Sequence, residues 1–381
     1  MKISGAWIDH PGPQALCVAL EARGFKALFV GGCVRNAVLD APISDIDLTT
    51  DATPEAVLAL AHDHGFRAIP TGIEHGTITL IVHDMPIEVT TFRRDVETDG
   101  RRAVVAFSTD IREDAARRDF TMNALYADAR GAVIDPLGTG LADALTRTLR
   151  FVGDPHQRIR EDYLRILRFF RFYAHYGDPG QGIDADGLSA CAELAEGVET
   201  LSRERIGAEM RKLLSAPDPA PAVAAMFACG VLGRVLPGAD PRFLPIVVHL
   251  DQDQPRRWVR RLAMIGGQNV AKALRLSTRE ARDFDTLRET MGSAESPAVL
   301  GWKWGVDLAM DAVILRAAQF ESPLEPHAMT EAQRGATAEF PVQAADLMPA
   351  FAGPELGRKL RDLQQRWLQS DLHLTRGELL G

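Results

Sequence analysis

Leu28-Phe29-Val30-Gly31-Gly32-Cys33-Val34-Arg35, followed by Ser44-Asp45-Ile46-Asp47-Leu48, is the stretch that decides the fold of this 381-residue chain. A short apolar run ends in two glycines, after which Val34, Ala37, Val38 and Leu39 recur at helical spacing, so the segment reads as strand, glycine turn, helix. A second strand begins near Ile46. Two glycines at this point let a backbone approach phosphates and offer N–H donors at a helix start, and Arg35, one turn in, can add charge-assisted bonds. Asp45 and Asp47 alternate with the strand period, so both carboxylates project from one face and can hold divalent ions. Two such ions roughly 3.5 to 4 Å apart would serve an in-line displacement on a phosphate, and Mg2+ suits hard oxygen ligands. Alone, Gly-Gly is a tight turn and the aspartates a solvated strand end; in this order they read together as a site.

Working outward, the residues from Gly5 to Gly24 predict a helix, and Thr53-Pro54-Glu55 opens another with Thr53 as N-cap. Thr77 to His83 and Ile87 to Arg93 alternate as the arms of a hairpin. After Asp135-Pro136-Leu137-Gly138 the pattern changes to Leu, Ala and Arg at three and four spacing, and no further strand is expected. Helices are predicted over 155–175, 203–214, 221–229, 307–320 and 354–368. The fold class is therefore α+β, a mixed-sheet head followed by an all-α remainder.

Composition narrows the function. With 46% hydrophobic and 25% charged residues the chain has an ordinary globular make-up. No run of about 18 apolar residues occurs, and the first 25 residues lack an apolar signal region, so a cytoplasmic protein is expected. Cys17, Cys33, Cys191 and Cys229 have no CxxC spacing, which argues against a zinc knuckle and a disulfide framework. The net charge of -9 discourages a nucleic-acid partner on its own. Yet nearly all 43 basic residues are Arg, since Lys stands only at 2, 26, 212, 272, 303 and 359.

Two further constellations carry chemistry. Arg117-Arg118-Asp119 places a cation beside a carboxylate ahead of a predicted strand, a pair able to engage ribose hydroxyls and phosphate oxygens together. Asp162, Arg165, Arg168 and Arg171 are spaced three apart, and a single helix over 155–175 would set all four on one stripe. Leu164, Ile166, Leu167, Phe169 and Phe170 cover its other directions, so the stripe lines a cleft. A carboxylate accepts from an exocyclic amino group and a guanidinium donates to a ring nitrogen. Cytosine and adenine present that order of groups; uracil and guanine present the reverse.

The ordered blocks are Val30-Gly31-Gly32 with Asp45-Ile46-Asp47, Pro70 to Thr77, Glu88-Val89-Thr90-Thr91-Phe92-Arg93, Arg117 to Ala124, Ile134-Asp135-Pro136, Glu161 to Arg168 and, more weakly, Glu204-Arg205-Ile206. Together they resemble the class II CCA-adding tRNA nucleotidyltransferase and bacterial poly(A) polymerase family, within the polymerase-β-like nucleotidyltransferases. The resemblance runs from about residue 25 to 214, and beyond it the chain matches only in being helical. It implies a head over 1–138, a base-reading neck over 139–215, a body over 216–300 and a tRNA-binding tail over 301–381. It implies addition of CCA to tRNA from CTP and ATP. Asp45 and Asp47 would hold Mg2+, and Gly31, Gly32 and Arg35 would cradle the triphosphate. Arg118 and Asp119 would select ribose, while Asp162 with Arg165 would read the base, supported by Arg168 and Arg171.

A third carboxylate, to accept the proton of the attacking hydroxyl, falls on Glu88, for which a solvent-facing strand residue is the alternative. The polar loop from Arg93 to Phe107 would help switch selectivity from CTP to ATP. Asn36 replaces the family's usual Asp, and Thr98 a frequent aromatic. His62-Asp63-His64 and His83-Asp84 read as solvated turn residues rather than metal motifs. The rivals are a poly(A) polymerase, whose usual Arg-rich signature is missing around Phe66-Arg67-Ala68, and a catalytically silent RNA-binding module.

Overall fold

The computed structural model describes residues 1–99 and 102–381, without the side chains of residue 71 and residues 95–104. Helix α1 (Pro11–Ala22) starts at Pro11 rather than Gly5, because Pro11 and Pro13 suit only a first turn and His10 caps it by accepting from Gly12 N–H. The decisive stretch folds as β1 (Leu28–Val30), buried along its length, then α2 (Gly32–Val38) and β2 (Asp47–Thr50). Thr53 caps α3 (Pro54–Asp63) with its side chain on the Ala56 amide. After β3 (Arg67–Gly72), β4 (Thr77–Val82) and β5 (Met85–Thr91) form the expected hairpin. Its turn residues His83 and Asp84 both take positive φ, the conformation that matches strand twist in a two-residue turn.

The polar stretch after β5 is not an open loop but a separate two-stranded ribbon, β6 (Arg93–Asp99) and β7 (Arg102–Phe107). Gly100 and Arg101 and the side chains of Asp95, Thr98, Asp99 and Arg102, on which the CTP-to-ATP switching expectation rests, lie outside the described residues. Helix α4 (Ile111–Ala116) leads to β8 (Tyr126–Ala127) and β9 (Val133–Ile134). The main sheet runs β3-β4-β5-β2-β1-β8-β9. Its β2 and β5 pair in parallel, whereas its other neighbours are antiparallel. One apolar cluster beneath it joins Leu28, Val30, Phe92, Ala115, Ala124, Tyr126 and Val152.

Beyond β9 no further strand occurs among the described residues, as the sequence pattern predicts. The helices that follow include α5 (Gly140–Leu145), α6 (Pro155–Glu161), α7 (Leu164–Tyr176), α8 (Ala185–Glu193) and α9 (Arg203–Leu214). The single helix expected over 155–175 is thus two. Asp162 breaks it with an extended backbone (φ -158°, ψ 107°), and its own side chain accepts from the Leu164 amide, the local bond by which Asp competes with helix continuation. Phe120, Phe151, Phe169 and Phe172 pack ring against ring and bury the inner face of α7.

The chain divides into two compact units: 1–209 with 228–235, and 210–227 with 236–381. The first contains every residue proposed for chemistry. Within the second, Arg260 and Arg261, both almost fully buried, share the Asp251 carboxylate, and Arg260 also pairs with buried Asp311 at 2.9 Å. Helices 297–304 and 328–337 approach at Gly301 and Gly335, where any added Cβ would collide with the facing backbone. No described helix is long and apolar enough to cross a membrane. Cys17, Cys33 and Cys191 are buried, Cys229 is half-buried, and none is in a disulfide.

Candidate active site

Strand pairing assembles the acidic centre. In the parallel register Asp47 of β2 stands opposite Glu88 of β5, and Glu88 stands opposite Thr79 of β4, so the three side chains form a row across one face. Asp45 lies just before β2 rather than on it, yet joins Ser44, Asp47, Thr79 and Glu88 around a cavity of about 600 Å3. Ser44 Oγ donates to Asp45 Oδ2 at 2.9 Å. Burial, then the neighbouring Glu88 and Asp45 charges, push the Asp47 carboxyl up to about 6, with only Arg118 opposing. Like charges gathered with a single cation nearby are a donor set suited to a hard divalent ion. Among the described residues no three His, Cys, Asp or Glu form a ready-made cage. Two carboxylates that leave the remaining positions to phosphate oxygens and water is the pattern magnesium takes.

The glycine turn borders this centre. Gly31 has φ +70°, which penalises any side chain, and an added Cβ would stand 3.3 Å from an Arg118 guanidinium nitrogen. The Gly31 N–H is held by the Leu125 carbonyl, so the first-turn amides of α2 begin at Gly32. Arg35 is 5% exposed and bonds Asn36, Asn123 and Tyr176, with its guanidinium 3.9 Å above the Tyr176 ring. Burial lowers its pKa, and the neighbour it bonds at 36 is a neutral Asn rather than a carboxylate. Arg35 therefore ties α2 to the end of α7, its charge met at a distance by Asp119, to which Asn123 links it.

Arg118 and Asp119 belong to a connected set. Arg118 donates to Asp114 and to the Tyr126 hydroxyl. Asp119 accepts from the Phe120 amide and the Asn123 side chain on one oxygen and from Arg168 on the other. Burial alone would raise its pKa; Arg168 and these donors hold it at about 2.

The base-reading candidates are brought near one another but not paired. Asp162 binds Arg205 of α9 at 2.6 Å, whereas Arg165 binds Glu161 and the Arg158 carbonyl. Like charges along the arginine stripe repel, and each is offset by its own carboxylate: Arg165 has Glu161, Arg168 has Asp119, and Arg171 has Glu209. Three guanidiniums, of Arg35, Arg168 and Arg171, flank the Phe172 ring. Sequence reasoning assigned no role to Asp114, Tyr126, Glu161, Tyr176, Arg205 or Glu209. Glu161 and Asp114 each lie four residues ahead of an arginine already singled out, a helical spacing that could have found them.

Residues 27–150 match the poly(A) polymerase head domain, and residues 182–243 match a domain described as the probable RNA and SrmB-binding site of polymerase A. The mitochondrial CCA tRNA nucleotidyltransferase 1 of Mus musculus is 31% identical over 97% of this chain and 89% of its own length. The CCA-adding enzyme of Streptococcus gordonii is 34% identical over 91% and 90%. Among solved structures, the Bacillus stearothermophilus CCA-adding enzyme in complex with CTP matches with a TM-score of 0.74 at 27% identity, covering 94% of this chain and 92% of that one.

Proposed function

Because the chain belongs to the CCA-adding tRNA nucleotidyltransferases, the family built on the poly(A) polymerase head domain, we infer that it completes the 3′ end of tRNA with C, C and A. It uses CTP and ATP and releases pyrophosphate. The observation that carries the residue assignment is the row of Asp47 and Glu88 across β2 and β5, with Asp45 in the same cavity and Arg118 against the glycine turn.

In this reading Asp45 and Asp47 hold Mg2+, which supplies charge neutralisation for the phosphates and activation of the attacking hydroxyl. The tRNA 3′ oxygen bonds to the α-phosphorus, the bond from that phosphorus to the bridging oxygen breaks, and pyrophosphate leaves with the electron pair. Glu88 receives the hydroxyl proton. Gly31 and Gly32 give the triphosphate a close backbone approach, and Arg35 supplies the charge behind it. Arg118 and Asp119 engage the ribose. Asp162 accepts from the exocyclic amine while Arg165 donates to N3 of cytosine or N1 of adenine, with Arg168 and Arg171 supporting. A carboxylate has about four acceptor sites, so Asp162 can take the base amine while keeping Arg205.

Residues 1–138 serve as the transferase head, 139–215 as the base-reading neck, 216–300 as the body and 301–381 as the tail that grips tRNA by shape and phosphate contacts. The cytoplasm is the compartment this reading assigns. The test is incubation with Mg2+, each single nucleotide, and tRNA lacking CCA, CA or A. Two additions from CTP to the first and one from ATP to the last, then arrest, uphold the reading; long A tails without C, or no extension, overturn it.

A further inference from the structure

Arg118 does not hold itself in place. Its Nε donates to the Tyr126 hydroxyl at 3.2 Å and one terminal nitrogen donates to Asp114 Oδ2 at 3.0 Å. The other terminal nitrogen faces Gly31, 3.3 Å from where a Cβ would stand. The Tyr126 hydroxyl itself donates to the same Asp114 oxygen at 2.7 Å, which closes a triangle of three bonded groups. Asp114 Oδ1 takes Arg117, at 2.9 Å from its Nε.

This carboxylate has no exposure at all. A buried charge is tolerated only when its acceptors are filled, and here two arginines and a phenol fill them. The mounting is rigid. Asp114 sits on α4 beside Ala115, which packs with Tyr126 in the apolar cluster under the sheet.

We propose that Asp114 and Tyr126 are positioning residues for sugar recognition: together they engage two of the three guanidinium nitrogens of Arg118 and leave the third, beside the glycine turn, to meet the nucleotide's ribose. The inference rests on the reading that Arg118 contacts ribose. Neither residue touches substrate. Replacing the Asp114 carboxylate by an amide removes the ion pair and leaves a neutral acceptor beside the phenol, and the guanidinium is then freer to leave the direction in which a 2′-hydroxyl can be distinguished from hydrogen.

The experiment measures KM and kcat for CTP and dCTP on full-length protein with tRNA lacking CCA and saturating Mg2+. Asp114→Asn is expected to raise KM for CTP about tenfold and lower the CTP preference by a similar factor, a coupling of the size seen between bonded neighbours, with kcat for CTP within a few-fold of wild type. Tyr126→Phe is expected to act in the same direction by about threefold, less than Asp114→Asn because the ion pair between Arg118 and Asp114 stays. In an Arg118→Lys background both changes should have no further effect on the preference. If Arg118→Lys leaves the preference intact, the ribose reading itself falls. If Arg118→Lys lowers it but Asp114→Asn and Tyr126→Phe do not, or lower it additively with Arg118→Lys, the positioning role is overturned. Loss of melting temperature and of turnover on both nucleotides in equal proportion also overturns it. Should Asp114→Asn fail to fold, Tyr126→Phe decides alone: an unchanged preference sinks the proposal.

Discussion

Asp162 shares its carboxylate between the Leu164 amide and Arg205, so two effects separate when it is replaced. Asp162→Ala should relax base choice, letting U and G enter, by about ten- to a hundredfold in discrimination, the 1 to 3 kcal/mol of a good base-edge pair. Metal affinity, which the proposed function places at Asp45 and Asp47, should stay. Strict C and A incorporation by that variant would remove Asp162 from the proposed base-reading role. Asp119 makes a different prediction. Its folded pKa of about 2 lies below its ordinary value, so it stabilises the fold above about pH 4, and that contribution is lost as pH falls toward 2. Asp119→Asn should flatten the dependence of unfolding free energy on pH in that window, by about 2 kcal/mol; an unchanged slope on acid titration would contradict the pairing with Arg168. The residue types at this site were legible from local order: glycines, alternating aspartates, Arg-Arg-Asp. Their partners were not, because Arg168 and Asp119, or Arg205 and Asp162, meet only through tertiary packing over 49 and 43 positions.

The α6–α7 junction shows where element reading fails. Periodicity runs unbroken through residues 155–175, and nothing in the spacing of apolar residues marks Asp162 as a stop. What marks it is a side-chain bond and a close contact: Tyr163 lies so tightly on Gly197 that a Cβ there would fall 1.9 Å from the ring. Gly197→Ala should therefore destabilise by about 1 to 3 kcal/mol, as overpacking does, seen as a lower denaturation midpoint with unchanged slope. If the midpoint holds, the ring has room to move and the junction is not pinned there. The hairpin arms fared better, because period-two burial in β4 follows directly from the Ile78, Leu80, Val82 alternation, whereas the β6–β7 ribbon reads from sequence as a polar loop. The pairing of β2 with β5 was not visible, since parallel partners are joined by chain that carries no register signal.

At the scale of the molecule, the net charge of -9 says less than where charges are buried. In the second unit Asp251 compensates Arg260 and Arg261, none of the three more than 2% exposed on the side chain. Asp251→Ala should strand Arg261, leave Arg260 with Asp311 as its remaining carboxylate, and cost about 3 to 5 kcal/mol; calorimetry of the full chain would register it, and an unshifted transition would mean that the network is replaceable. The helical character of this half was legible, and its ionic interior was not, because Arg and Asp at those positions look like any solvated face. The cysteines, three buried and one half-buried, carry a practical consequence. Burial pushes the thiols of Cys17 and Cys33 up to about 12 and 11 and raises Cys191 and Cys229 as well, so little thiolate exists at neutral pH. Maleimides and iodoacetamides should thus label the wild-type protein slowly, and first at half-buried Cys229, so that with Cys229 alone replaced one cysteine introduced on an exposed helix would take a fluorophore or spin label selectively.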